Sequence, residues 1–504
     1  MRRRDTIVRR AFVLDSRQLG GRVVIGAGFK FAGIALRTLI TFGSLAVLAR
    51  LLEPADFGYV AMATVVTEFA ALFSTFGMTN VLTQRQVINR LQIDTVFWAS
   101  FTLGAVLSVF VFAVSFLMGW LFAEPRAGEL MRVLCFSFLL GGMTNVPNVL
   151  LARLMMFRTE FWIQSLVNVI RALVAIGMAY GGFGAWSLVS GALVSAGMTV
   201  VLGFLVVRYV PRFRFSWHYL STSWKTSGIY LSAGLLYYAN MNIDLLMVGR
   251  SLGAVSLGYY QNARSLTDEI RARIAAPLQQ ILFPAFSSIQ CEMERLQQVF
   301  IRSARVIATL ILPVGFGVSA MSADIVPVLY GNQWLEMIPL VSTFGLSAAV
   351  RGSTAISSPL LNASNRVGLA LKYNVIGSLL FFTGGLVGLQ FGVEWVALAA
   401  LFASVYTLVP LRVAIGILGL STRDLLSILG APIVAASVLW GAIAVARPLT
   451  LAIGTSPIMM LVCHATIGLL TYLLVLLILS RQHIKDFQDV LKQILHVRRA
   501  RIGG

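Results

Sequence analysis

A chain of 504 residues that is 58% hydrophobic and 12% charged cannot cover a water-soluble surface, because soluble domains carry about 25% charged residues. The composition therefore indicates a polytopic membrane protein and excludes a soluble globular fold. The net charge of +20 would suit a nucleic-acid partner, but the cytoplasmic loops of membrane proteins also collect Lys and Arg, so the placement of the charges decides.

Apolar stretches of about 20 residues, the length that crosses a bilayer, recur along the whole chain. Fourteen of them predict spans, at 23–50, 57–79, 96–122, 130–152, 161–180, 184–207, 226–249, 256–288, 299–321, 335–361, 368–390, 394–418, 428–446 and 458–480. The last two are set apart by Arg423 and Asp424, which indicates an addition to a core of twelve helices. The first run is far longer than the apolar part of a signal peptide, so it should remain as a span.

The loops carry an asymmetric charge. With the N-terminus inside, the segments on the cytoplasmic side hold 27 Lys and Arg, and the outer connections hold five. This asymmetry predicts cytoplasmic termini and accounts for most of the charge excess without nucleic acid. After Ser480, apolar residues at helical spacing alternate with basic ones. They predict an amphipathic helix on the anionic lipid surface or, alternatively, a helix that docks on a partner.

The connections leave no room for a catalytic domain, since the longest one inside the core, 208–225, has 18 residues. The sequence contains no Walker motif, no other glycine-rich phosphate loop and no GxSxG motif. Its three cysteines and four histidines are scattered, which predicts neither a metal site nor a disulfide framework. We therefore expect a transporter and not an enzyme, with no cofactor beyond a coupling H⁺ or Na⁺.

One motif occurs twice, 200 residues apart. LARLLEPADFGY at 48–59 aligns without a gap with VGRSLGAVSLGY at 248–259, which pairs Arg50 with Arg250 and Gly58 with Gly258. Such a repeat in an apolar chain predicts a protein of two similar halves. Charge sorting places both copies at the outer hairpins, so these four residues are predicted to form an outer gate or hinge.

Ionisable residues inside spans cost about 2.5–3.5 kcal/mol on insertion scales, so they usually face a cavity or a partner. In the first span, Lys30 and Arg37 share one helix face. The corresponding face of the seventh span carries Tyr230 and Tyr237, with Asn240 beside it. We expect both faces to line a central cavity, with the cations on a phosphate and the tyrosines on sugar rings. Alternatively, the two cations pair with buried acids and are structural.

The eighth span carries the densest charge. Arg264, Asp268 and Arg271 share a face, and Arg264–Asp268 and Glu269–Arg273 are pairs at i,i+4 spacing. We expect the shared face to line the same cavity. Alternatively, the charged half projects beyond the lipid as an outer helix.

Single charges in other spans complete the set of candidates. Arg171 and Arg351 are arginines in the middle of the fifth and tenth spans, and each is either an anion ligand or a tether between helices. Glu68, Asp244 and Asp268 are candidates for binding a coupling ion. A structural salt bridge is the alternative for Glu68 and Asp244.

Four stretches carry a resemblance to a known family: VLARLLEPADFGYVAMATVV at 47–66, LGYYQNARSL at 257–266, ILFPAFSSIQ at 281–290 and GNQWLEMIPL at 331–340. They are similar to the O-antigen and exopolysaccharide flippases of the polysaccharide transporter family. This family belongs to the multidrug/oligosaccharidyl-lipid/polysaccharide exporter superfamily. The resemblance covers roughly residues 20–420. Other members often have SRAYRL after LGYY, where this chain has Gln261, Asn262 and Arg264.

The resemblance implies an all-α polytopic fold of two pseudo-symmetric six-helix bundles around a central cavity, with two extra C-terminal helices in this chain. The corresponding segments are a basic N-terminus at 1–22, bundles at 23–207 and 226–418, a cytoplasmic linker at 208–225, the added helices at 428–480 and a basic tail at 481–504. It further implies alternating access that moves undecaprenyl-diphosphate-linked oligosaccharide repeat units across the bacterial inner membrane, for exopolysaccharide, capsule or lipopolysaccharide O-antigen synthesis. Membrane lipids and polysaccharide polymerase or assembly proteins would be its partners.

Other functions remain as alternatives. A cation-coupled multidrug exporter should have an acid-rich cavity, and the mid-span cations Lys30, Arg37, Arg171 and Arg351 argue against one. Charge does not separate a peptidoglycan-precursor flippase from the leading hypothesis. A polymerase or ligase would need a larger outer loop. A non-transporting scaffold for polysaccharide assembly is excluded only by a transport assay.

Overall fold

The architecture comes from a computed structural model of the whole chain. The structure describes the backbone of residues 19–75, 82, 87–452, 454 and 456–489; side chains at 19–32, 75, 218–237, 239–240 and 276 are not described. This described part is almost entirely α-helical and has no β-strand, which confirms the predicted all-α class. The basic stretch predicted at 1–22 lies outside it, apart from the backbone of 19–22.

The first of two compact units comprises residues 1–258. Its helices are α1 Leu19–Leu51, α2 Pro54–Thr75, α3 Arg90–Ser115, α4 Met118–Phe122, α5 Pro125–Leu134, α6 Phe136–Arg153, α7 Phe157–Tyr180, α8 Trp186–Val207 and the beginning of α9, Trp217–Ser288, as far as residue 258. Gly253, with φ 80° and ψ −178°, interrupts α9, so this helix has two arms, 217–252 and 254–288.

The second unit comprises residues 259–504 and holds most of the second arm of α9. Its further helices are α10 Met293–Ala320, α11 Ser322–Leu329, α12 Ile338–Ser353, α13 Ser357–Ala363, α14 Val367–Gly388, α15 Val393–Tyr406, α16 Leu408–Ile417, α17 Thr422–Ala452 and α18 Pro457–Leu479. A short 3-10 helix, Asn332–Met337, precedes α12.

Among the described residues, eleven helical segments are long and apolar enough to cross a membrane, which confirms a polytopic membrane protein. Three of the fourteen predicted spans, 226–249, 256–288 and 335–361, have no counterpart among them. The structure is helical in all three. Most side chains of 226–249 lie outside the described residues, 256–288 is more polar, and 335–361 is broken after Ser353. The count of fourteen therefore stays a prediction.

Both copies of the repeated motif break their helix at the same place. Glu53 lies between α1 and α2, and Gly253, 200 residues later, interrupts α9. In the first copy Asp56 fixes the break, because one carboxylate oxygen accepts the N–H of Glu53 at 3.1 Å and the other accepts the N–H of Ala185 at 3.0 Å. The sequence repeat is thus also a repeat of backbone structure.

Residues 208–216, the first half of the predicted linker, pack against α3. Asp94 is fully buried and accepts a hydrogen bond of 2.6 Å from the hydroxyl of Tyr209. Burial, followed by the carboxylate of Asp94, raises the pKa of Tyr209, so the phenol stays neutral and donates. The indole of Trp98 stacks on Phe213 with ring centres 4.2 Å apart. This half of the linker is therefore a packed part of the first unit.

A buried charged cluster fastens the two C-terminal helices, α17 and α18, to the rest of the second unit. His464 of α18 is fully buried, and its Nδ1 lies 2.8 Å from Oδ2 of Asp324 in α11. Arg447 of α17 contacts the same oxygen at 3.1 Å, and the hydroxyl of Thr450 lies 3.0 Å from Nε2 of His464. Three helices thus meet at one carboxylate. We missed this cluster in the sequence because its members are far apart in the chain.

The start of the C-terminal tail is helical, as predicted, and residues 481–489 pack on the protein. Arg305 pairs with Asp486 at 3.4 Å and Arg302 pairs with Asp489 at 3.2 Å, both from α10. His483 is 1% exposed, and its Nε2 lies 3.1 Å from the carbonyl oxygen of Ile428. This described part therefore packs on α10 and α17 of its own chain. The remainder of the tail lies outside the described residues.

Tail docking is expected to weaken in acid. Burial lowers the pKa of His483, so the folded state disfavours the proton, and the stability of the docked segment is complete above the unfolded pKa of about 6.5 and falls below it. Amide hydrogen exchange over 481–489, corrected for intrinsic rates, should rise several-fold from pH 7.5 to 5.5. The variant His483→Gln cannot titrate and should show no such rise, and an equal rise in both proteins would contradict this account.

Candidate functional site

Three arginines of the second unit surround one carboxylate. The second arm of α9 places Arg264, Asp268 and Arg271 on one face, one turn apart. Asp268 Oδ1 lies 3.1 Å from Nε of Arg271, and its Oδ2 lies 3.7 Å from Nε of Arg264. From α12, Nη1 of Arg351 lies 3.6 Å from the same Oδ1. We call these four residues the arginine cluster.

The arginine cluster carries a net charge of +2 and is open to solvent in part. The side chains of Arg264, Arg271, Arg351 and Asp268 are 17%, 22%, 33% and 28% exposed. Guanidinium groups donate in a planar fork that matches carboxylate and phosphate oxygens, and each has about five N–H donors. Three such groups on one partly exposed surface are therefore suited to bind an anion with several oxygens.

The helix geometry explains why Arg351 reaches the cluster. Arg351 lies in the last turn of α12, where the helix ends before a break at 354–356. At this break the hydroxyl of Thr354 lies 2.7 Å from that of Thr407, and Gln279 donates to the carbonyl of Ala355 at 3.1 Å. The bond from Gln279 ties the end of α12 to the second arm of α9, and the bond to Thr407 ties it to the turn between α15 and α16. A cation in the last turn is also favoured by the helix dipole.

Glycines bring the supporting helices into backbone contact. A Cβ at Gly315 of α10 would lie 2.7 Å from the carbonyl oxygen of Gly345 in α12, and one at Gly345 would lie 2.9 Å from that of Gly315. A Cβ at Gly352, the neighbour of Arg351, would lie 3.5 Å from Cγ of Arg271. Small residues at these crossings therefore determine how closely α10, α12 and the second arm of α9 approach one another.

Two predictions on the eighth span are confirmed, and one was incomplete. The pairs Arg264–Asp268 and Glu269–Arg273 form at 3.7 and 2.9 Å. Glu269 is 52% exposed, and its salt-bridge partner is Arg273, which lies outside the arginine cluster. Sequence reasoning treated Arg351 as a separate mid-span cation, whereas the structure places it in the same cluster.

The two cationic candidates of the first unit whose side chains the structure describes, Arg37 and Arg171, do not share a carboxylate in this way. Arg37 is exposed, and its Nη2 donates to Oε1 of Gln164 at 3.3 Å. Arg171 is exposed on α7 and lies beside Gly191 of α8. The side chains of Lys30, Tyr230, Tyr237 and Asn240 lie outside the described residues.

The two acids of the first unit differ in exposure. Asp244 is 3% exposed on the first arm of α9, whereas Glu68 is exposed on α2. Tyr238 of α9 packs on Phe69 with ring centres 6.0 Å apart and donates to the carbonyl of Val65 at 2.7 Å. It thereby holds the first arm of α9 against the turn of α2 that carries Glu68. No group of three metal-binding side chains occurs in the part of the chain that the structure describes.

The two repeat copies lie directly against each other, and the contact is reciprocal. A Cβ at Gly58 would overlap the carbonyl oxygen of Ala254, and a Cβ at Gly258 would overlap that of Pro54. Pro54 and Ala254 are equivalent positions of the repeat, so each copy makes the same contact with the other. Arg50 and Arg250 are exposed at the helix ends next to this crossing. The sequence showed the repeat but not that its copies touch.

Comparison with known proteins identifies the family of this chain. The family described as "Polysaccharide biosynthesis protein" matches residues 47–339, which is more than half of the chain. The chain belongs to the polysaccharide biosynthesis protein family. The predicted resemblance to polysaccharide flippases is thereby confirmed.

Named relatives of this family member act in polysaccharide production. The succinoglycan biosynthesis transport protein ExoT of Rhizobium meliloti (strain 1021) is 28% identical over 62% of this chain and 63% of its own length. The lipopolysaccharide biosynthesis protein WzxC of Escherichia coli (strain K12) is 28% identical over 72% of this chain and 75% of its own. The matched region thus spans somewhat under two thirds of ExoT and three quarters of WzxC.

Solved transporters share the fold of this family member. The lipid II flippase MurJ in an inward closed conformation superposes with a TM-score of 0.72 at 15% identity, over 90% of this chain and 99% of MurJ. An inward-facing multidrug resistance transporter of the MATE family and MOP superfamily reaches 0.56 at 14% identity, over 76% of this chain and 94% of its own. The fold is therefore one that membrane transporters of known structure share.

Proposed function

We propose that this protein is a flippase that moves undecaprenyl-diphosphate-linked oligosaccharide repeat units across the bacterial inner membrane, by alternating access. The products would be exopolysaccharide, capsule or lipopolysaccharide O-antigen. The family and the names of its relatives support the polysaccharide pathway. The observation that carries the proposal is the arginine cluster, because a net charge of +2 with partly exposed guanidinium groups fits a diphosphate.

The binding residues follow from this proposal. Arg264, Arg271 and Arg351 hold the diphosphate in the second unit. In the first unit, Lys30, Arg37 and Arg171 supply further positive charge, while Tyr230, Tyr237 and Asn240 contact sugar. Asp244 and Glu68 are the residues of the first unit that bind H⁺ or Na⁺ for coupling. The two halves of the chain, 23–207 and 226–418, form the moving bundles.

The outer gate is the reciprocal crossing at Gly58 and Gly258. The close backbone contact at this crossing supports the proposal, because it leaves no space between the two helices where they meet. Opening requires the two repeat copies to separate, with Arg50 and Arg250 moving at the rim. The orientation with cytoplasmic termini, predicted from the charge of the loops, puts this crossing on the outer face.

The alternative function with the same fold is a cation-coupled drug exporter. The positive charge of the arginine cluster favours the flippase over the exporter. A cationic drug would be repelled by three arginines that share a single carboxylate. The discriminating experiment is deletion in the native bacterium. Surface polysaccharide should be lost, lipid-linked repeat units should collect on the cytoplasmic leaflet, and resistance to cationic dyes should be unchanged. Loss of dye resistance with normal polysaccharide would favour the exporter.

A further inference from the structure

Among the described residues, Asp268 is the acid that lies within 4 Å of three arginines. It lies 3.1 Å from Arg271, 3.6 Å from Arg351 and 3.7 Å from Arg264. An acid in the middle of an anion site weakens that site, because it repels the anion and occupies its donors. Helix stability alone does not require a contact with Arg351, which comes from a different helix.

We infer that Asp268 is an internal competitor of the diphosphate: its carboxylate occupies the guanidinium donors that the cargo uses, and so it sets how readily the cargo is released. The inference rests on the proposed function. A carboxylate and a phosphate group accept from guanidinium in the same bidentate manner, so one can replace the other without rearranging the arginines. Asp268 would then leave the donors as the diphosphate arrives and return as it departs.

The charge balance supports this role. With Asp268 the cluster carries +2, and without it the cluster would carry +3 opposite the same anion. A carrier must bind its cargo strongly enough to load and weakly enough to unload, since tight binding in both states slows the cycle. An exchangeable carboxylate lowers the affinity for diphosphate while leaving all three arginines in place to recognise it.

The adjacent acid provides a matched control. Glu269 follows Asp268 in the same helix, is 52% exposed and pairs with Arg273 at 2.9 Å. Replacing either acid by its amide removes one negative charge from the same turn of the second arm of α9. Any difference between the two variants therefore reports the position of the carboxylate and not the net charge of the protein.

The test is binding of farnesyl diphosphate to purified full-length protein in lipid nanodiscs. Asp268→Asn should bind about tenfold more tightly than the wild type, Glu269→Gln should stay within about twofold, and cells with Asp268→Asn should make less surface polysaccharide. Unchanged or weaker binding by Asp268→Asn, or equal tightening by both variants, would overturn the inference.

Further variants and a stability measurement separate the role of Asp268 from the proposed site itself. Asp268→Ser is a second, smaller replacement, and it should also tighten binding; if either variant is unstable, added pyrophosphate should raise its melting temperature more than that of the wild type. If the wild type binds farnesyl diphosphate and Arg351→Ala weakens this binding, the proposed site stands, and failure of both Asp268 variants to bind more tightly overturns only the role of Asp268. If the wild type does not bind the probe, the proposed site itself fails, and the role of Asp268 with it.

Discussion

Replacing Arg271 or Arg351 by alanine is expected to abolish surface polysaccharide while the protein still accumulates in the membrane. In the proposed site each arginine contributes a charge-assisted hydrogen bond to the diphosphate, and such a bond is worth about 1.5–3 kcal/mol, or about tenfold to hundredfold in affinity. The fold should survive, because Asp268 keeps two of its three arginine partners in either variant.

Arg273→Ala is the matched control for these variants. Arg273 lies two residues beyond Arg271 on the same helix, but it pairs with Glu269 and not with Asp268. Surface polysaccharide, measured against the amount of protein in the membrane, should stay near wild type in the control and fall at least tenfold in Arg271→Ala and Arg351→Ala. Normal amounts of surface polysaccharide in Arg271→Ala and Arg351→Ala would show that the arginine cluster does not bind the cargo.

Gly58→Val should be the most damaging change at the repeat. Its Cβ would overlap the carbonyl oxygen of Ala254, which is backbone and cannot rotate away, so the two repeat copies must move apart. Overpacking of this kind typically costs about 1–3 kcal/mol. Gly258→Val should behave alike, because it meets Pro54 in the same way. We expect a lower melting temperature and a large loss of transport from both.

Gly43→Ala tests whether the loss of stability and transport is specific to the contact between the two repeat copies. Gly43 is a glycine of α1 with nothing within 4 Å of an added Cβ, and alanine favours a helix over glycine by about 1 kcal/mol. This variant should keep the wild-type melting temperature or exceed it, and transport normally. A Gly58→Val protein with wild-type stability and transport would show that the two copies need not touch during the cycle.

The fold was largely predictable because its signals are local. Low charge and long apolar runs specify helices that cross a membrane, and the repeat at Arg50 and Arg250 indicates two halves. The i,i+4 pair of Glu269 and Arg273 forms because helix geometry alone brings these residues together. Such features depend on residues that are close in sequence, and no knowledge of packing is needed to infer them.

The site was only partly predictable because its contacts join distant segments. The sequence gives no distance between Arg351 and Asp268, and their meeting depends on a helix break at 354–356 and on glycines that let α10 and α12 approach. Likewise, His464 and Asp324 are unremarkable in their own segments and become a buried pair only when α18 packs on α11. Three predicted spans have no apolar counterpart among the described residues, and two of them, 256–288 and 335–361, supply the cluster. The first is rich in charged residues, and the second is broken after Ser353.

The most direct test of the central claim is the movement of a lipid-linked repeat unit across a bilayer that contains only this protein. Purified protein is reconstituted into liposomes with the repeat unit on its undecaprenyl diphosphate carrier, and an enzyme that cleaves the glycan is added outside. In protein-free liposomes about half of the lipid should stay protected, and with the wild type nearly all should become accessible. Arg351→Ala should leave the protected half intact. Protection of the same half with the wild-type protein would contradict the account.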